Sequence, residues 1–172
     1  EEAADLVALL TPVVKAFITD NTWETNTLAQ QVFGGHGYIE EWGMSQFVRD
    51  SRIAMIYEGT NGVQAMDLCG RKLAQNGGAA IQAFFAMCDA DIAAGKKVEG
   101  LKDIAEALDK ALGHQKAATM WFMQNALANP NNLGAGAHHY MHIMGIVVLG
   151  LMWLRMAQVA LDKLARSPSA KE

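Results

Sequence analysis

An all-α fold is predicted by three features: apolar residues recur at helical spacing, Gly and Pro fall between those stretches, and no strand-like alternation persists anywhere. With 172 residues, 51% of them hydrophobic, the chain has apolar mass for one ordinary domain or two small helical ones. Its 14 basic and 18 acidic residues leave a net charge of -4 and no basic stripe of the kind that neutralises phosphate backbones, so nucleic acid is not expected as a partner. Cys69 and Cys88 stand in no CxxC spacing, so neither a disulfide framework nor a zinc ribbon is signalled, and a reducing, cytoplasmic setting fits.

In chain order, Thr11-Pro12 reads as an N-cap and first helical residue, followed by an apolar face of Val13, Val14, Phe17 and Ile18. Asn21 with Glu24 three residues on reads as a capping box, opening a second helix that Gly34-Gly35 ends. The Gly-rich turn therefore sits at a helix C-terminus. A phosphate cradle wants the other end, so the turn is no P-loop or dinucleotide fingerprint. One or two short helices are expected around Ser45 to Val48 and Arg52 to Ile56. Thr60 is a good N-cap for a helix with Val63, Met66, Gly70 and Leu73 on one side, closed by Gly77-Gly78.

Beyond Gly78 the helices lengthen. Ile81, Phe84, Phe85, Cys88 and Ile92 make one amphipathic face, ended by Gly95 and Lys96-Lys97. Leu101, Ile104, Leu108, Leu112, Thr119, Phe122 and Ala126 make a second, stopped at Asn129-Pro130. A loop from Asn129 to Gly136 then leads to a third, about Ala137 to Ala165, before a polar tail containing Pro168. Three antiparallel helices of this length read as a bundle or half of one. The longest apolar run, Ile143 to Leu154, would rise only ~18 Å against a hydrocarbon core of ~30 Å, and His142 and Arg155 flank it, so a buried helix rather than a membrane span is expected.

The chemistry concentrates between Gln31 and Gln64. Glu58 lies between an aromatic and a glycine, just before the helix that Thr60 opens, where backbone N–H groups point at whatever fills the neighbouring cleft. Partial burial there would penalise its charged form and suit it to act as a general base. The bland alternative is a carboxylate that bonds nearby amides and holds a turn.

Three motifs decide between these readings: Gln31-Val32-Phe33-Gly34-Gly35-His36-Gly37-Tyr38, then Arg49-Asp50, then Ile56-Tyr57-Glu58-Gly59-Thr60. In this order and spacing they resemble the C-terminal helical domain of the acyl-CoA dehydrogenases. The resemblance implies a flavoenzyme that desaturates acyl-CoA thioesters between the α and β carbons. Glu58 falls on the family's catalytic base, and Tyr57 and Gly59 on its substrate-facing positions. Thr60 matches an FAD contact. Gln31, Gly34 and Gly35 match a segment that touches the adenosine part of an FAD held mainly by a neighbouring subunit, which implies a homo-oligomer. Arg49 and Asp50 are assigned to a structural ion pair. Many relatives carry glutamine where this chain has Gly62, so that cofactor contact is in doubt, whereas Gln64 matches the pattern.

The resemblance assigns residues 1–77 to that helical domain and residues 78–172 to a C-terminal helical extension of a bacterial subgroup, which includes enzymes acting on sulfur-containing propionyl-CoA thioesters. A complete member also has an N-terminal helical domain and a middle β domain, so the chain is expected to be the C-terminal portion of a longer protein and inactive alone. The implied partners are an acyl-CoA and an electron-transfer flavoprotein. The rival reading is a non-catalytic helical assembly module.

His138 and His142 share a helix face at i, i+4, but with no HExxH and no acidic or cysteine partner nearby in sequence they are assigned to packing or surface, and no metal is expected. Met120, Met123, Met141, Met144, Met152 and Met156 are read as core filler.

Overall fold

The computed structural model describes residues 2–126 and 128–166, and these fold as six α-helices with no strand among them. The expected polar tail around Pro168 lies outside the described residues. Helix α1 spans Glu2–Val32, α2 Met44–Ala54, α3 Asn61–Asp67, α4 Ala79–Gly95, α5 Lys102–Asn125 and α6 Pro130–Arg166.

The two helices expected before Gly34 are one, 31 residues long with Pro12 inside it. The supposed caps turn back into the helix instead. The Thr11 hydroxyl donates to the Val7 carbonyl at 2.7 Å and the Asn21 amide to the Phe17 carbonyl at 2.7 Å. Side-chain bonding to the preceding turn lets such residues sit mid-helix. Pro12 forfeits one backbone bond, which the burial of Leu9, Val13, Ala16 and Phe17 on either side offsets.

The short helices expected between Glu40 and Tyr57 are likewise the single helix α2, preceded by 3-10 turns at Gly34–Tyr38 and Glu40–Trp42. Arg49 and Asp50 are both exposed and do not pair, since successive helical residues do not face each other; Asp50 accepts from Gln46 at 2.8 Å instead.

After α3 the chain winds a π-turn over Leu68–Lys72, with Leu73 N–H bonding to Leu68 O at 3.0 Å. The extra residue shifts the phase of the apolar face. Ala65, Leu68, Cys69 and Leu73 are therefore the buried set, while Val63 and Met66, expected alongside Leu73, are exposed.

Helices α4, α5 and α6 form the expected antiparallel bundle. Lys96 meets Asp109 and Lys116 meets Asp89 across α4 and α5, each at 2.6 Å. Between α5 and α6 the Tyr140 hydroxyl lies 2.7 Å from that of Thr119, and the Phe122 and Tyr140 rings stack edge to face. All five apolar residues predicted for α4 are buried, as are Leu101, Leu108, Leu112 and Phe122, although Ile104 is exposed. Of the loop expected from Asn129 to Gly136, all but Asn129 is helical. Pro130 opens α6, where its missing N–H costs nothing, and the Asn129 side chain caps it by accepting from the Asn131 N–H at 3.0 Å.

Of the six methionines read as core filler only Met141 and Met144 are buried; Met120, Met123, Met152 and Met156 face outward. By length and composition α6 could cross a membrane, but Tyr140, Met141, Met144, Val147, Leu151 and Leu154 make one of its faces part of the core.

Candidate functional site

The Met55–Thr60 loop joins α2 to α3. Met55, Ile56 and Tyr57 still donate their N–H groups into the end of α2, and the Asn61 N–H reaches back over the loop to the Met55 carbonyl at 3.2 Å. Between these bonds the backbone turns left-handed twice, at Glu58 with φ 52° and at Gly59 with φ 82°. The left-handed φ at Gly59 calls for glycine, and a Cβ there would also push aside the end of the Gln64 side chain, 2.6 Å away. Glu58 is one of only two non-glycine residues at positive φ among those described.

Tyr57, Glu58, Gly59 and Thr60 are all exposed. The expectation that Glu58 is partly buried is therefore not met: the loop bulges from the helices, and none of the described residues covers it. Among the described residues the N–H groups of Glu58, Gly59 and Thr60 have no acceptor. Thr60 does occupy the N-cap position of α3, but its side chain makes no capping bond.

The loop is anchored by a residue that sequence reasoning missed. Asn61 is buried, and its amide nitrogen donates to Ala16 O at 3.1 Å, Thr19 Oγ1 at 2.9 Å and Asp20 Oδ1 at 2.7 Å, while its oxygen accepts from Lys15 Nζ at 2.8 Å. A buried amide satisfied on both ends fixes position more tightly than apolar contact does. The polar set of Lys15, Thr19 and Asp20 on one side of α1 was its only trace in the sequence.

The Gly-rich turn lies elsewhere. Gln31 comes eleven positions after Asp20 on α1, roughly 16 Å along the helix axis. The structure thus gathers Tyr57 to Thr60 in one loop and holds Gln31, Gly34 and Gly35 well away from it. A Cβ at Gly34 or Gly35 would meet nothing within 4 Å, and Gly34 has φ 59°. By contrast Gly37 is packed against Gln30 O and Phe33, and the Gln30 amide donates to the Gly37 carbonyl at 3.1 Å. The turn is thus fixed by Gly37 and open at Gly34 and Gly35.

On the far side of Asp20 stands α6. His142 Nε2 lies 3.2 Å from Asp20 Oδ2, so the histidine pair has an acidic neighbour after all, brought from α1 by the fold. Desolvation, then the neighbouring His142, holds the His138 imidazole below its ordinary pKa.

Comparison with known proteins gives two family matches along the chain. Residues 2–73 match the family described as "Acyl-CoA dehydrogenase, C-terminal domain", and residues 79–172 match "Acetyl-CoA dehydrogenase C-terminal like". The chain is 34% identical over 171 residues to the 3-methylmercaptopropionyl-CoA dehydrogenase of Ruegeria pomeroyi, covering 99% of this chain and 29% of that protein. It is 29% identical over 161 residues to a butyryl-CoA dehydrogenase of Syntrophomonas wolfei, covering 94% and 26%. A broad-specificity linear acyl-CoA dehydrogenase of Mycobacterium tuberculosis is 27% identical over 170 residues, covering 95% and 28%. The chain thus spans less than a third of the length of each of these relatives. With both halves matched and the fold all-α, the chain belongs to the acyl-CoA dehydrogenase family and carries its C-terminal helical region.

Proposed function

We propose that the full-length protein is an FAD-dependent acyl-CoA dehydrogenase that desaturates an acyl-CoA thioester between the α and β carbons, with Glu58 removing the α-proton. The observation that carries this reading is the Glu58-Gly59-Thr60 corner, where an exposed carboxylate on left-handed backbone adjoins N–H groups that have no acceptor among the described residues. An α-proton is acidic enough to leave only if the charge growing on the thioester oxygen is stabilised, and a fixed backbone N–H beside the base does that. We assign this role to the Glu58 N–H. A non-glycine residue at positive φ carries a cost that structures keep where function requires it. Gly59 leaves room for the acyl-CoA, and Tyr57 lines the acyl pocket.

The residues present fit FAD. Thr60 has a hydroxyl not spent on capping, and Gly34 and Gly35 offer bare backbone with open space above it. Bound FAD would supply the acceptor for the β-hydrogen, leaving as hydride. Thr60 would hold the cofactor near the base, and Gln31, Gly34 and Gly35, at and beyond the far end of α1, would hold a different part of it or the cofactor of a neighbouring subunit. A homo-oligomer follows from the second arrangement, and the exposed Val32, Phe33, Tyr38, Trp42 and Phe47 around the turn supply apolar surface for it. We place the protein in the cytoplasm, where its two free cysteines stay reduced, with α6 docked on its own domain rather than in a membrane and an electron-transfer flavoprotein as electron acceptor.

The test is to purify the full-length protein, record its visible spectrum and add acyl-CoAs without oxygen. The panel would run from butyryl-CoA to longer linear chains and include 3-methylmercaptopropionyl-CoA. A bound flavin bleached by at least one of them is expected, and the fastest names the substrate class. Absence of flavin, or no bleaching with any acyl-CoA, would contradict the reading and favour a non-catalytic assembly module.

A further inference from the structure

Outside the proposed active site, one cluster has the chemistry of a ligand site. Asp20 of α1 and His138 and His142 of α6 each offer one donor atom, and the three atoms lie within 4.8 Å of one another. We propose that they form a divalent transition-metal site of the zinc class, clamping α6 to α1.

Several features of the arrangement suit a bound ion. His138 and His142 stand one helical turn apart with ring centroids 4.4 Å from each other, as a bidentate pair on one helix face requires. His142 Nε2 is 3.2 Å from Asp20 Oδ2, close to the ~3.3 Å that separates two ligands of a tetrahedral ion with bonds of ~2.0–2.1 Å. The His138 donor atom lies within 4.8 Å of the other two, and its exposed ring would move inward on binding. Asp20 is oriented from behind, since its other oxygen accepts from Asn61 at 2.7 Å and Asn61 is itself tied to the Ala16 carbonyl at 3.1 Å. Support of this kind holds a ligating carboxylate in place.

The backbone around the cluster is equally fixed. A Cβ at Gly145 would collide with the Phe17 ring, so α1 and α6 touch at their crossing, and Phe17 also stacks edge-on to His142 at 5.4 Å. Two imidazoles and one carboxylate, with no thiolate, suit Zn²⁺, Co²⁺ or Ni²⁺ and are poorly matched to Mg²⁺ or Ca²⁺, which want oxygen. Water would complete the coordination. The ion would join the C-terminal extension to the helix on which Asn61 anchors the Glu58 loop.

The test uses the full-length protein, stripped with a chelator and titrated with Co²⁺ and then Zn²⁺, with Co²⁺ visible absorption and calorimetry as readouts. One Co²⁺ per chain with ligand-field bands, displaced by Zn²⁺, is expected. His138→Gln, at an exposed position, should weaken binding at least tenfold without lowering the thermal midpoint of the metal-free protein, and Asp20→Asn should weaken it similarly. His114→Gln, exposed on α5, should change nothing. No Co²⁺ bands in the wild type, unaltered binding in His138→Gln, or loss in His114→Gln would each overturn the site. None of these readouts depends on flavin or on acyl-CoA turnover.

Discussion

Phe84 and Phe47 are the same residue in two settings. Phe84 on α4 is 1% exposed, one of a set of apolar side chains that α4, α5 and α6 bury against each other; Phe47 on α2 is 62% exposed. The contrast extends beyond this pair. Among the described residues no apolar side chain between Phe17 and Ala65 is fully buried, although that segment contains Trp23, Phe33, Tyr38, Trp42 and Phe47. It is held instead by directional contacts: Asn26 to the Phe47 carbonyl at 3.3 Å, Gln30 to the Gly37 carbonyl, Arg52 over the Trp23 ring at 5.9 Å, and the Asn61 hub. The bundle shares one buried core with Leu9, Val13 and Phe17 of α1 and with Ala65 and Leu68. The segment with the chemistry leaves its apolar side chains at the surface, in a chain that spans under a third of each of these relatives.

A matched pair of truncations should separate the two regions most widely. Phe84→Ala should cost about 3–5 kcal/mol in the denaturant unfolding of this chain, because it leaves a cavity, whereas Phe47→Ala should stay within about 0.5 kcal/mol. Equal costs would mean that the two regions are packed alike.

Asn61→Ala comes next. It strips partners from Lys15, Asp20 and the Ala16 carbonyl at a buried point and should cost about 1–3 kcal/mol, with faster amide exchange through residues 55–61 than in wild type. Unchanged exchange there would show that the loop is not anchored through this residue.

A smaller effect concerns pH and belongs to the packed side alone. Burial pushes the Cys69 and Cys88 thiols and the Tyr140 hydroxyl up to about 12, from ordinary values of 9.0 and 10.0. The fold favours their protonated forms, so this stability is fully present below about pH 9 and is lost as pH rises toward 12. The thermal midpoint should fall over that range, and Cys88→Ala should make the fall shallower. An unchanged slope would contradict the burial argument.

The smallest effect has the opposite sign. Gln115 is fully buried and neither polar atom of its side chain meets hydrogen-bond geometry among the described residues, although it lies close enough to the Tyr140 hydroxyl to favour that group's ionised form. Gln115→Met should raise the thermal midpoint by a few degrees, by removing an unsatisfied amide at nearly constant volume. A drop would show that the amide has a partner in solution.

The same division explains what was legible in the sequence. The faces of α4 and α5 were readable because they pack against other parts of this chain, so local periodicity and tertiary burial agree. The continuity of α1 was not, because Thr11-Pro12 and Asn21 carry boundary chemistry that long-range packing overrides. Asn129-Pro130 was read as a stop when it is a start, since the same pair serves either end. The face of α3 was misplaced by a π-turn, which leaves no mark in periodicity. In the site, the motif from Tyr57 to Thr60 was visible through family resemblance. The left-handed backbone at Glu58 was not, since only Gly59 advertises it. Asn61 and its link through Asp20 to His142 were hidden as well, because residues 41 and 122 positions apart in sequence meet only in the fold.

The most direct test of the account is the rate of anaerobic flavin bleaching by the preferred acyl-CoA in full-length wild type and Glu58→Gln, with flavin content and thermal midpoint measured beside it. Removing the base should slow bleaching by roughly 10²–10⁴-fold while both proteins bind flavin and melt alike, because Glu58 is exposed and no fold contact depends on it. Bleaching at the wild-type rate in the variant would show that another group takes the α-proton, and Glu58 would be a turn residue only.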